Sequence, residues 1–143
     1  MKKFLFIILA AMATFSMESC SKSNDKSVPV PVVTTQQKIQ ARWTLENYIY
    51  HEHGTNPVYD TTTVYTGTSS DYLDFKANGK VYYSLSEYSD SSTYSVIGDT
   101  TLFISQLGNY KILSLTDHAL KLNFREDDAA IAGYFEETYN LNK

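Results

Sequence analysis

His51-Glu52-His53 is the one stretch of this chain whose residue types and spacing match metal-ligand chemistry. Side chains alternate faces along an extended strand, so two histidines two positions apart point the same way, and two imidazoles on one face can begin a zinc or nickel site. A third ligand would have to come from His118, Asp60 or a carboxylate such as Glu136. Gly54-Thr55-Asn56-Pro57 follows at once and reads as a loop, so a solvated loop tip ranks ahead of a metal centre. The sequence is therefore read as having no metal site and no cofactor. Glu126-Asp127-Asp128 lacks the alternating oxygen ligands and the glycine of an EF-hand loop and reads as a charged turn. Catalytic motifs are missing as well. The chain has no Gly-x-Ser-x-Gly elbow, no phosphate-cradling glycine loop and no HExxH, and Glu136-Glu137 on a strand would point to opposite faces. The expectation is a protein that is not an enzyme.

The second reactive residue is Cys20, the only cysteine. It follows a basic start at Lys2-Lys3 and an apolar run from Phe4 to Phe15, the layout of a secretory leader, and that run is too short for the roughly 20 apolar residues of a membrane span. Met17-Glu18-Ser19 before Cys20 resembles a bacterial lipobox, which implies cleavage ahead of Cys20 and acylation of its thiol and new amino terminus. Each buried acyl methylene stabilises by about 0.8 kcal/mol, so two or more chains would hold the protein on a membrane. A free exported thiol is the lesser reading. The resulting division is a signal peptide at 1–19, a lipidated tether at 20–35 and a domain at 36–143. No disulfide can brace the mature domain. The expected address is the cell envelope, at the outer membrane; Ser21-Lys22-Ser23-Asn24-Asp25 leaves the periplasmic and surface faces equally open. Residues 20–143 suffice for one domain and carry a net charge of about −5. Without basic clusters, nucleic acid is an unsuitable partner.

After Val28-Pro29-Val30-Pro31-Val32, which reads as part of the tether, short alternating runs rich in β-branched and aromatic residues replace any helical period. A helical turn is expected at Gln36 to Ala41. The first strand spans Trp43 to Tyr50, with Trp43, Leu45, Asn47 and Ile49 on one face and Thr44, Glu46, Tyr48 and Tyr50 on the other. Val58 to Thr66 is the next strand. Asn78-Gly79 marks a tight hairpin between Asp71–Phe75 and Val81–Leu85, because asparagine and glycine tolerate positive φ. Hairpins at Gly98-Asp99 and Thr116-Asp117 follow, and Ile131 to Leu141 closes the series. Leu120, Leu122 and Phe124 alternate with Lys121, Asn123 and Arg125, one face buried and one wet. Eight or nine consecutive antiparallel strands predict an all-β, up-and-down β-barrel, since closure removes exposed edges.

Ile39-Gln40-Ala41-Arg42-Trp43-Thr44-Leu45 is similar to the Gly-x-Trp first-strand signature of lipocalins, with Ala41 in the glycine position. Together with Tyr72 to Lys80, Tyr94 to Leu102, and Tyr110 to Thr116 leading to Leu120-Lys121-Leu122, it makes residues 39–141 resemble the bacterial lipocalin-like lipoproteins. That resemblance implies a small barrel with a ligand cavity, a structural Trp43 at the closed end, and Arg125 in the place of the arginine that stacks on that tryptophan.

An eight-stranded barrel is filled by side chains or holds one small ligand. The leading expectation is a membrane-tethered binding module whose ligand-contacting residues are Leu45, Phe75, Tyr83, Phe103 and Phe124, with Leu73, Leu122 and Phe135 also inward, for a small apolar or aromatic ligand. The competing expectation is a filled barrel that binds an envelope protein partner through some of the twelve tyrosines. Cavity volume separates the two, at about 300 Å³.

Overall fold

Thr34 caps the first helix. Its hydroxyl accepts from the Gln37 amide while the Gln37 side chain accepts from the Thr34 amide, a reciprocal box that satisfies two amides the helix leaves free. The computed structural model describes residues 32–143, so the leader, Cys20 and the tether up to residue 31 lie outside the described residues. The single-turn helix α1 covers Thr35–Lys38, where a turn over 36–41 was expected. Thr35 donates to Asp99 Oδ1 at 2.9 Å and Gln36 accepts from the Val96 amide at 3.0 Å, so residues assigned to the tether's end and the helix are tied to the barrel.

Nine strands follow: β1 (Arg42–His53), β2 (Thr61–Thr66), β3 (Tyr72–Phe75), β4 (Lys80–Leu85), β5 (Tyr88–Ile97), β6 (Thr101–Ile104), β7 (Gly108–Leu115), β8 (Ala119–Asp128) and β9 (Gly133–Asn142). All neighbours are antiparallel, and β9 pairs with β1 from Asn142 to Tyr134. The result is a closed up-and-down barrel of eight strands, with β2 as the extra strand.

Strand β1 organises the wall because three strands share its two edges. One edge is taken by β9 along its length. The other is given to β3 at Arg42–Thr44 and then to β2 at Asn47–Glu52. The exchange happens at a β-bulge at Glu46, where the ladder to β9 skips from Leu45 to Asn47. There the Leu45 amide still donates to the Asp71 carbonyl at 2.8 Å, and the Glu46 carbonyl accepts from Gly67 at 2.9 Å. A bulge opposes two residues to one, so the side-chain phase reverses beyond it. Trp43 and Leu45 face inward as expected, but so do Tyr48 and Tyr50, which lie opposite the inward Tyr139 and Glu137. Asn47 and Ile49 are outside. The expected uniform face Trp43-Leu45-Asn47-Ile49 is therefore corrected in its second half.

Other expectations change in detail. Pro57–Tyr59 forms a 3-10 turn, so the strand expected from Val58 starts at Thr61. The expected hairpin forms, with Gly79 at φ 77° and its amide donating to the Lys76 carbonyl, while Asn78 stays out of the left-handed region, so Gly79 alone supplies the positive φ. Glu126-Asp127-Asp128 belongs to β8, and the turn lies at 129–132.

The core fills the end near α1. Ile39, Trp43, Phe75, Val81, Leu102, Leu120, Leu122 and Leu141 are each 4 % exposed or less. The turns at 76–79, 98–100 and 116–118 cluster at this closed end, and the connections at 54–60, 86–87, 105–107 and 129–132 lie at the other.

Candidate functional site

Because β2 and β3 divide one edge of β1, the outer edge of β2 has no strand partner and the wall is interrupted between β2 and the β4–β5 turn. Asp71 bridges the interruption. Its carboxylate accepts from the Thr68 hydroxyl (2.7 Å) and amide (2.8 Å), the Tyr65 hydroxyl (3.1 Å) and the Ser86 amide (2.7 Å). Burial pushes the Asp71 carboxyl up, but these four donors outweigh it and hold the group below its ordinary value. Ser86 and Glu87 take positive φ of 49° and 71° to make the tight turn that Asp71 caps.

Beside this bridge a cleft of about 260 Å³ opens through the wall, lined by Leu45, Tyr48, Tyr65, Leu85, Ser86 and Tyr139. A second space of about 130 Å³ lies within the barrel, among Leu73, Tyr83, Tyr88, Ile104, Tyr110 and Leu122. Leu85 and Tyr139 border both. Neither space reaches about 300 Å³, the lower end of ordinary small-molecule sites.

Tyrosine hydroxyls and the Glu137 carboxylate meet in this interior. Glu137 faces inward on β9 and accepts from the Tyr139 hydroxyl at 2.9 Å. Tyr48 and Tyr139 pack with ring centroids 4.9 Å apart and their planes tilted by 48°, and Tyr110 meets Tyr139 edge-on at 5.8 Å. Burial, then the Glu137 charge, raises the Tyr110 hydroxyl to about 12. Burial also drives Tyr48 and Tyr139 further up, with Glu137 adding to both. All three remain neutral donors at any physiological pH.

Two of the five expected contact residues line the cavities, Leu45 in the cleft and Tyr83 in the inner space. Phe75 is 2 % exposed and packs edge-on against Tyr94 in the closed-end core. Phe124 lies between Tyr110 and Phe135, at 5.5 and 6.0 Å, outside both linings. Phe103 is corrected: with Leu102 and Ile104 turned inward, alternation puts it on the outer face, 38 % exposed. Trp43 sits at the closed end, fully buried, donating to the Ile39 carbonyl at 2.8 Å. The cation on its ring is Lys143, 4.6 Å from the centroid, and the expected Arg125 contact is absent. Leu120 pairs with Leu141 near Trp43, so Arg125 is five residues farther up β8, about 16 Å away along the strand. Arg125 lies over the Tyr134 ring instead, at 3.5 Å.

Tyr48, Tyr65, Tyr139, Leu85 and Asp71 were not singled out by sequence. The abundance of tyrosine pointed towards them as a class, but only the Glu46 bulge turns Tyr48 inward.

On the outer face of the open end, β1 does continue through His53, and His51 Nε2 and His53 Nδ1 lie 3.2 and 3.5 Å from Asp60 Oδ1. Hydrogen bonds from His51 and then His53 hold the Asp60 carboxyl below its usual range. The expected loop tip is thus the end of a strand, while the three side chains remain solvent-exposed, at 32, 48 and 56 % for His51, His53 and Asp60. His118 is at the closed end, and Glu136 is engaged by Asn123 at 2.9 Å.

No family model matches the chain, and comparisons with characterised proteins and with solved structures likewise return no match.

Proposed function

We propose that this chain is an envelope lipoprotein, held to the outer membrane through an acylated Cys20, whose barrel is a non-enzymatic binding module for an aromatic or apolar ligand of one or two rings. The observation that carries this reading is the 260 Å³ cleft through the wall, walled by three tyrosines and two leucines. An apolar cavity of about 150 Å³ is enough to hold benzene, so the cleft suits one ring or a fused pair. Both spaces fall below the dividing volume of about 300 Å³, which counts against a carrier of ordinary small molecules or lipids and leaves only a ligand of one or two rings. Tyrosines in the lining suit a ligand bearing one polar group, since an unpaired polar atom would be costly to bury. The resemblance to bacterial lipocalin-like lipoproteins supports the same class of role.

The small volumes also favour one alternative, a filled barrel that serves as a protein-interaction module. The test is native mass spectrometry of the full chain extracted from its own membrane in mild detergent, followed by calorimetric titration with indole and 1-naphthol. The binding reading expects a co-purifying small molecule or one-to-one binding of a ring compound. Leu85→Trp, which adds bulk where the two spaces meet, should weaken it at least about tenfold, equivalent to about 1.4 kcal/mol. If nothing co-purifies and neither compound binds, the interaction module replaces the ligand carrier. The same spectra read the anchor: an amino terminus at Cys20 carrying acyl mass is expected, and an unmodified thiol would refute it.

A further inference from the structure

We propose that His51, His53 and Asp60 form a binding site for a divalent transition ion of the zinc class, on the outer face of the barrel's open end and separate from the cleft. The ligand atoms come from strand β1 and from the residue just before its neighbour β2, and the register of the two strands is fixed. Thr61 pairs with Glu52 and Thr62 with His51, so Asp60, one step before β2, comes opposite His53 on the outward face. The strand thus presents two imidazoles, and its neighbour returns a carboxylate to them.

The distances are those of a hydrogen-bonded ion pair and also match the spacing of ligands around a metal. Zinc takes imidazole nitrogen at about 2.0–2.1 Å and carboxylate oxygen at about 2.0–2.2 Å, and a tetrahedron of those arms has edges of about 3.3–3.5 Å. The two nitrogen-to-oxygen separations are 3.2 and 3.5 Å, already edges of such a tetrahedron. All three ligand atoms lie within 4.8 Å of one another, so rotation of the imidazole rings completes the third edge.

The loop that delivers Asp60 is built, not slack. Asn56 accepts from the Val58 amide at 3.1 Å and the Asp60 amide donates to Pro57 at 3.3 Å, forming the 3-10 turn. A Cβ at position 54 would sit 2.8 Å from the Tyr59 Cβ, so glycine there lets the turn fold back on the strand end. Tyr134 backs both imidazoles, with ring centroids at 6.1 Å from His51 and 5.1 Å from His53. Three protein ligands on an exposed face leave a coordination position for water or for a group from another molecule. Soft thiolate chemistry is missing, and two imidazoles with a carboxylate suit zinc, nickel or copper rather than magnesium or calcium.

Zinc chloride titrated calorimetrically into the full chain, in a buffer that does not chelate, should give one ion bound per chain. His51→Ala, His53→Ala and Asp60→Asn should each weaken binding at least about tenfold, since even outer-shell partners of metal ligands commonly carry 10–100-fold. His118→Ala and Cys20→Ser should leave it unchanged. The chain has three histidines, so imidazole proton resonances give a second reading. Zinc should shift the rings of His51 and His53 and leave His118 in place. Binding that survives the first three substitutions, binding that follows His118 or Cys20, or no stoichiometric uptake would each overturn the proposal. Indole and naphthol binding is expected to be indifferent to all five variants, so failure here and failure of the ligand cleft are separately visible.

Discussion

Asp71 is the only charged side chain buried among the described residues, at 3 % exposure, and every hydrogen bond it makes closes the interruption in the barrel wall. Its four donors come from β2, the β2–β3 connection and the β4–β5 turn. Removing an acceptor strands those donors, and a buried amide without a partner costs about 1–3 kcal/mol. Asp71→Ala should therefore lower the unfolding free energy by about 2–4 kcal/mol, read from urea titration. The pH dependence has a definite sign. The folded carboxyl lies below its ordinary value of about 4, so its stabilisation is present above that pH and is lost as pH falls through the depressed folded value. The stability gap between wild type and Asp71→Ala should be constant from pH 5 to 7 and narrow on acidification. A gap that widens on acidification would contradict this role. Nothing near Asp71 in sequence announces it beyond Thr68 three residues before, because its decisive partner, the Ser86 amide, is fifteen residues away.

At the scale of elements, what could be read from the chain depended on whether a pattern stayed in phase. Leu120, Leu122 and Phe124 alternate without interruption, and β8 follows them. The Gly-Asp, Thr-Asp and Asn-Gly turns fall where their residues put them, though the last closes through Gly79 alone. β1 is different, since Trp43 and Leu45 set one phase, Tyr48 and Tyr50 need the other, and only the bulge reconciles them. That bulge depends on Gly67, where an added Cβ would fall on the Leu45 carbonyl, backbone against side chain with no rotamer to escape into. Gly67→Ala should therefore cost about 2–4 kcal/mol in urea unfolding. Gly98→Ala is the control, because nothing lies within 4 Å of its added carbon and only its φ of 59° is strained, for which about 1 kcal/mol is expected. Equal losses at both positions would mean that the close approach at Glu46 is not what holds β2 against β1.

For the whole molecule, strand number and closure followed from counting turns, but the content of the barrel did not. Whether eight strands leave room depends on which side chains turn inward at each bulge and how far they reach; Tyr48, Tyr83, Tyr110 and Tyr139 line the two small spaces that remain, and Leu85 and Tyr139 stand between them. This tyrosine interior makes the barrel sensitive to alkali in a way that an aliphatic core would not be. Tyr110 is raised to about 12, and Tyr48 and Tyr139 are raised further, by burial and then by charges and neighbours including Glu137. A raised folded value means that the stabilisation is complete below the unfolded value near 10 and is lost as pH rises through the folded one, because the unfolded chain releases protons that the folded chain retains. Each such group costs about 1.4 kcal/mol per pH unit in that window, so Tyr110 and Tyr139 together remove about 3 kcal/mol per unit, with Tyr48, more exposed, adding less. Stability should thus be flat from pH 7 to 9 and fall steeply above 10. Absorbance at 295 nm, which reads tyrosinate, should show part of the twelve tyrosines ionising only together with the loss of strand circular dichroism. If all of them ionised while the strand signal stayed intact, the hydroxyls around Glu137 would be in free exchange with water, and the enclosed interior on which a ring-sized ligand depends would not exist.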